Sequence, residues 1–164
     1  MAIKKIFIFM ALAFAVDAFK WKHCEDNLPL RVDSLSLSPH PLRLRKGQRV
    51  TLGGKFRVGE NAGTNYKVDA TVWKKLPIIG WAKVPCFGMC THSIRCERLV
   101  DFLEGAKCPL APGSYEVKQQ TRSMPDIPIP SFLKNGRYKI QAKVRDENSK
   151  KRISCLEMEL ETRS

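Results

Sequence analysis

The sequence predicts an all-β domain: two antiparallel sheets packed as a sandwich, with one short helix. Three observations carry this prediction. Apolar and polar residues alternate with period two over several segments, turn-forming residues separate those segments, and six cysteines run from Cys24 to Cys155. Alternation buries one face of a strand and leaves the other in water, as an antiparallel sheet with one solvated side requires. An even cysteine count behind an export signal points to three disulfides and an oxidising compartment.

The elements follow in chain order. Lys4 and Lys5 form a basic n-region, residues 6–16 are an unbroken apolar run, and Val16-Asp17-Ala18 offers small residues where a signal peptidase reads. The run is shorter than a membrane span and no stop-transfer pattern follows it. Residues 1–18 therefore read as a cleaved signal peptide and residues 19–164 as the mature, soluble domain, a retained signal anchor being the alternative. The remaining chain, about 145 residues, suits one domain with a sizeable core.

Residues 30–38, 49–58 and 114–120 read as strands of less regular pattern, with turns at Lys46-Gly47 and over residues 60–65. Three others alternate cleanly. Tyr66, Val68, Ala70 and Val72 interleave with Lys67, Asp69 and Thr71; Tyr138, Ile140, Ala142 and Val144 interleave with Arg137, Lys139, Gln141 and Lys143; Leu156, Met158 and Leu160 interleave with Glu157, Glu159 and Glu161. The last two read as a hairpin across residues 146–151, which sets Arg137, Lys139 and Lys143 near the three glutamates. Such cross-strand pairs contribute only ~0.2–1 kcal/mol each but help fix register. The helix is expected over residues 93–104, where Leu99, Val100, Phe102 and Leu103 take near-helical spacing and Gly105 follows as a stop.

The formal net charge is +13, and +12 without residues 1–18 (27 basic against 15 acidic). That balance favours anionic partners such as lipid headgroups or acidic glycans; nucleic acid is not expected, since no motif for it occurs. A basic surface that serves only solubility is the other reading. No Asn-x-Ser/Thr sequon is present.

No catalytic constellation is visible. The histidines are His23, His40 and His92, and neither a nucleophile elbow nor a His-Glu-x-x-His pair occurs. Cys86, Cys90 and Cys96 with His92 suggest zinc on paper, but the paired Cys-x2-Cys units are missing and export favours disulfides. The reading is a non-enzyme with no metal and no cofactor.

Two apolar stretches stand where turns should be polar. Leu76-Pro77-Ile78-Ile79-Gly80-Trp81 follows a regular strand, and Met124-Pro125-Asp126-Ile127-Pro128-Ile129-Pro130-Ser131-Phe132-Leu133 interleaves apolar residues with prolines that exclude an interior strand. Each can fold back as a core plug, line a cavity mouth, or meet a membrane or partner. Ile78, Ile79 and Trp81 would yield roughly 1.5–3 kcal/mol each in lipid. Lys74, Lys75 and Lys83 would add about 1 kcal/mol each on an anionic surface, which suits reversible docking.

Several stretches, in order along the mature chain, resemble the ML (lipid-recognition) family, and within it the ganglioside activators. They are Phe19-Lys20-Trp21-Lys22-His23-Cys24, Ser34-Leu35-Ser36-Leu37-Ser38-Pro39, Gly80-Trp81-Ala82-Lys83-Val84-Pro85-Cys86, Cys108-Pro109-Leu110-Ala111-Pro112-Gly113-Ser114-Tyr115, and Pro125-Asp126-Ile127-Pro128-Ile129-Pro130-Ser131-Phe132-Leu133 with Gly136-Arg137-Tyr138. The resemblance implies a β-cup, two antiparallel sheets parted around an apolar lipid cavity. It also implies the pairings Cys24–Cys155, Cys86–Cys90 and Cys96–Cys108, among fifteen that six cysteines allow. By the same similarity Ile78, Ile79 and Trp81 form one membrane-dipping rim, and Ile127, Ile129, Phe132 and Leu133 the other, with Phe132 where the family has tryptophan. The chain departs from the activators in having six cysteines rather than eight, a shorter segment between Cys96 and Cys108, and no sequon in the strand over residues 49–52.

The function implied is that of a non-enzymatic lipid-binding and lipid-transfer protein, secreted or in the lysosomal lumen. It would extract a glycosphingolipid or phospholipid from a transiently contacted anionic membrane and present it to a hydrolase, with β-hexosaminidase the candidate, or to another membrane. The alternative is a secreted lipid-recognition or cationic defence protein that binds microbial or host lipid without transfer.

Overall fold

Every segment read as a strand forms one. A computed structural model describes residues 19–86, 88–126 and 128–164; the leader read over residues 1–18 lies outside them. The strands are β1 (Lys20–His23), β2 (Leu30–Ser38), β3 (Leu42–Arg43), β4 (Arg49–Val58), β5 (Asn65–Leu76), β6 (Gly80–Val84), β7 (Thr91–Arg95), β8 (Gly113–Ser123), β9 (Gly136–Asp146) and β10 (Arg152–Arg163). One helix, α1 (Cys96–Val100), and a 3-10 turn over Ser131–Leu133 complete the set among the described residues. The larger sheet runs β1-β10-β9-β5-β6, with β3 also on β10 and β7 also on β5; the smaller runs β2-β4-β8. All pairings are antiparallel except the short β10–β3 contact.

Helix α1 is shorter than the spacing predicts. Residues 93–95 instead complete β7, which pairs Arg95, Ile94 and Ser93 with Asn65, Tyr66 and Lys67 of β5. Free N–H and C=O groups on the edge of β5 compete for those residues and win over a marginal helix. The other half of that edge is covered by β6, from Val72↔Val84 to Leu76↔Gly80. Between β6 and β7, residues 85–90 leave the sheet as an excursion closed by Cys86–Cys90, and Ala70 N–H still reaches Cys90 O at 2.7 Å.

The β9–β10 hairpin has only part of the expected charge facing: Lys143 is registered opposite Cys155, and Glu157 and Glu161 pair with Lys22 and Arg163. Arg137 pairs with Glu159 at 3.7 Å, but Lys139, registered opposite Glu159, lies instead over the rings of Trp73 (5.0 Å) and Trp81 (5.1 Å). An ammonium over an aromatic face gains about as much as an exposed ion pair.

The interior is unequal along its length. At one end Phe56, Val58, Tyr66, Leu103, Leu110 and Ile153 form a closed core, sealed by the Cys96–Cys108 disulfide. The Phe56 and Tyr115 rings stack at 5.5 Å across β4 and β8. Farther along the same inward face of β4, Leu52 is 43% exposed against 8% for Phe56. On the larger sheet Tyr66 is buried, whereas Val68, Ala70 and Val72 of the same face are only half-buried. The sheets meet at one end and part at the other. Cys24–Cys155 ties β1's end to β10 across 131 residues of chain, a closure worth about 5 kcal/mol in the chain-entropy model.

Candidate functional site

The parted end holds an apolar cavity of about 340 Å³. Its floor is the inner face of the larger sheet: Ala70 and Val72 of β5, Tyr138 and Ile140 of β9, Leu160 and Thr162 of β10. Leu42 and Leu44 close one side, Val84, Pro85, Met89 and the Cys86–Cys90 disulfide another, and Ile129 and Leu133 a third. The period-two pattern puts these side chains inward, and among the described residues none of β2, β4 or β8 lines the cavity. The size is that of a small-ligand site. A chain of about eight methylenes buried there would gain about 6 kcal/mol.

The two hydroxyls in the lining are both committed to backbone. Tyr138 donates to Leu133 O, and Thr162 Oγ1 donates to Lys134 O at 2.9 Å. Burial raises the Tyr138 phenol above its ordinary value, so it stays neutral and keeps the proton it donates. Lys74, on the same sheet face, donates from Nζ to Phe132 O and lies over the Tyr138 ring at 5.7 Å. Three strands thus each donate one bond to the consecutive carbonyls of Phe132, Leu133 and Lys134, which holds this rim against the sheet. No group of metal-ligating side chains occurs among the described residues. The lining therefore offers burial, not acid–base or metal chemistry.

The residues anticipated as lipid contacts take three different positions. Ile129 and Leu133 line the cavity. Phe132 points away from it, 72% exposed; Ile78 and Ile79 sit on the β5–β6 turn, 97% and 76% exposed. Trp81 belongs to β6 rather than to a loop. Registered opposite Lys75, it lies on the outer face of the sheet, with Lys75 Nζ 5.9 Å and Lys139 Nζ 5.1 Å from its ring centre. Ile127 lies outside the described residues. The structure brings Ile129 and Leu133 together with Leu42, Leu44, Met89, Ile140 and Leu160, none of which sequence reasoning named as a site residue. Leu42 and Leu44 carry a faint signal, alternation just after Pro39-His40-Pro41; Ile140 and Leu160 looked like any core strand residue.

The ML-domain family model matches residues 18–162. The ganglioside GM2 activator of Mus musculus is 27% identical over 158 aligned positions, which cover 85% of this chain and 79% of that protein. The ganglioside GM2 activator of Macaca fascicularis is 24% identical, with 93% of this chain and 92% of that protein covered. Among solved structures, a Niemann-Pick type C2 protein from Japanese carpenter ant aligns over 88% of this chain and 99% of that one, at a TM-score of 0.47 and 15% identity. From the match over residues 18–162, this protein belongs to the ML-domain family, whose members bind lipid and are not enzymes.

Proposed function

We propose that this protein is a lipid carrier that docks on a membrane, takes a lipid chain into the cavity and delivers it to a hydrolase or a second membrane. One observation carries the reading: the apolar turn of Ile78 and Ile79 stands in water at the same end of the sandwich as an apolar cavity. Large aliphatic side chains exposed on a turn are costly unless something covers them, and a bilayer is the apolar surface that a lipid-binding domain must meet. Burying the two isoleucines gains roughly 1.5–3 kcal/mol each. Lys75 and Lys83 beside the turn add about 1 kcal/mol each on an anionic surface. The sum gives contact that reverses, as delivery requires.

Similarity to ganglioside activators makes β-hexosaminidase the candidate acceptor, and the three disulfides suit the lysosomal lumen or the extracellular space. The test is transfer of a fluorescent glycosphingolipid or phospholipid between vesicles, with and without β-hexosaminidase. Ile78→Ser/Ile79→Ser is expected to slow transfer at least about tenfold while leaving binding of a soluble short-chain lipid unchanged. Binding with no transfer by the unsubstituted protein would favour lipid recognition without delivery.

A further inference from the structure

One wall of the apolar cavity is fastened through a histidine. Leu42 and Leu44, which close that side, follow the run Ser38-Pro39-His40-Pro41 leading from β2 to β3. The segment is attached to β10 in two ways. Strand β3 registers Leu42 and Arg43 with Thr162 and Arg163, and Leu44 N–H donates to Arg163 O at 3.1 Å. One residue earlier on β10, Glu161 N–H donates to His40 Nε2 at 3.1 Å. A strand of two residues offers few ladder bonds, so the imidazole bond is a large share of the attachment.

That bond sets the protonation state of the ring. A ring nitrogen that accepts carries no proton, so the neutral imidazole holds its proton on Nδ1. Nδ1 is itself buried and has no partner among the described residues. A second proton would put N–H on both nitrogens. Nε2–H would then face the Glu161 N–H, donor against donor, and the charge would sit on a ring whose other nitrogen meets no acceptor. The surrounding charges do not offset this. On β10, Glu159 is engaged by Arg137 of β9 at 3.7 Å and Glu161 by Arg163 at 3.0 Å. Lys20 of β1, registered opposite Glu159, and Arg43 on the segment itself are cationic, and residues 34–38 of β2 carry no charge.

We propose that His40 is an acid-released latch on the wall formed by Leu42 and Leu44: acidification frees this segment from β10 and speeds the exchange of a lipid held behind it. The inference rests on the lipid-carrier reading above and adds regulation to the same cavity. Histidine is the side chain whose charge ordinarily changes between about pH 5 and 8. The contact needs the neutral ring, so it is complete at the upper end of that range and lost as pH falls. His23 makes a contact of the same kind, its Nε2 accepting Val32 N–H at 3.1 Å. That bond joins β1 to β2 beside the Cys24–Cys155 disulfide, and none of its residues lines the cavity, so His23 is the internal control.

A pH series on the full-length mature protein tests this, first without lipid and then with it. At about pH 7.5, long-range proton–nitrogen spectra are expected to show His40 with a bare Nε2 and a protonated Nδ1. Protection of the Glu161 and Leu44 amides from hydrogen exchange is taken against each amide's unstructured rate at the same pH. It is expected to fall about fivefold or more between about pH 7.5 and about pH 5.5. Over that range, release of pyrene-labelled lysophosphatidylcholine to excess phosphatidylcholine vesicles should speed up by a similar factor. Neither lipid titrates there, so the change belongs to the protein. His40→Gln keeps an acceptor, Oε1, that does not titrate, and is expected to hold the release rate constant with pH to within about twofold; His23→Gln should retain the acceleration. Constant amide protection in the unsubstituted protein, or an acceleration that survives His40→Gln, overturns the latch and leaves the carrier reading standing. Failure of the probe to bind at either pH overturns both.

Discussion

Asp146 ends β9 and organises the turn into β10. Its Oδ2 accepts the Ser149 hydroxyl at 2.7 Å and the Ser149 N–H at 3.2 Å, and its Oδ1 accepts the Asn148 N–H at 3.2 Å. The Ser149 hydroxyl, then the two backbone N–H groups and the charge of Lys150, hold this carboxyl below its ordinary value of 3.8. A carboxyl depressed in the folded state binds its proton less readily there than in the unfolded chain. The stability it contributes is therefore complete above about pH 4 and lost as pH falls through the folded-state value. Asp146→Ala is expected to lower the urea midpoint at neutral pH, with the gap to the unsubstituted protein closing below about pH 4 in a pH series. The turn was legible in the run Asp146-Glu147-Asn148-Ser149, because Asp, Asn and Ser side chains readily bond nearby backbone, as Asp146 and Ser149 do here. The direction of Trp81 was not. A five-residue strand shows its parity only through pairing with β5, and that pairing turns Trp81 outward beside Lys75 and Lys139.

The rim over residues 131–135 is held from β5, β9 and β10 by Lys74, Tyr138 and Thr162. Gly136 belongs to the same arrangement, because a Cβ there would stand 2.9 Å from Lys74 Cε and push that side chain off the Phe132 carbonyl. Thr162→Val removes one of the three donors while keeping the shape of the side chain. It is expected to cost about 1 kcal/mol in unfolding free energy and to speed hydrogen exchange at the Leu133 and Lys134 amides severalfold. Unchanged exchange at those two amides would separate Thr162 from the rim. Strands β2 and β4 fall on the boundaries their sequence suggests, since alternation and flanking turn residues are local properties. Strands β6 and β7 were not read from the sequence, and α1 is shorter than the expected 93–104, because their limits are set by an unsatisfied edge of β5, and an edge exists only once the sheet has formed.

Across the whole molecule, the packed core and the proposed binding cavity occupy opposite ends of one sandwich. The closed end has fully buried side chains around Leu110, Ile153, Cys96 and Cys155; the parted end keeps Leu52 of β4 and Ile140 of β9 only partly covered. Two substitutions of the same kind should therefore differ. Ile153→Ala at the closed end is expected to cost about 2–5 kcal/mol, because it opens a void in packed surroundings. Ile140→Ala in the cavity floor is expected to cost only about 1 kcal/mol, since that side chain already faces empty space. Urea unfolding of the two variants measures the difference, and equal losses would mean that the sheets close on each other in solution.

Composition, alternation and cysteine count were enough to determine a cross-linked, strand-built domain, and ordered local matches pointed to its family. Where the sheets part was decided only in the folded chain. Tyr66, Val68, Ala70 and Val72 form one regular apolar series, yet the first is buried in the core and the last lines the cavity. An alternating pattern specifies which face of a strand turns away from water. It carries no information about how far away the opposite sheet stands, and that distance is what separates a core from a binding site.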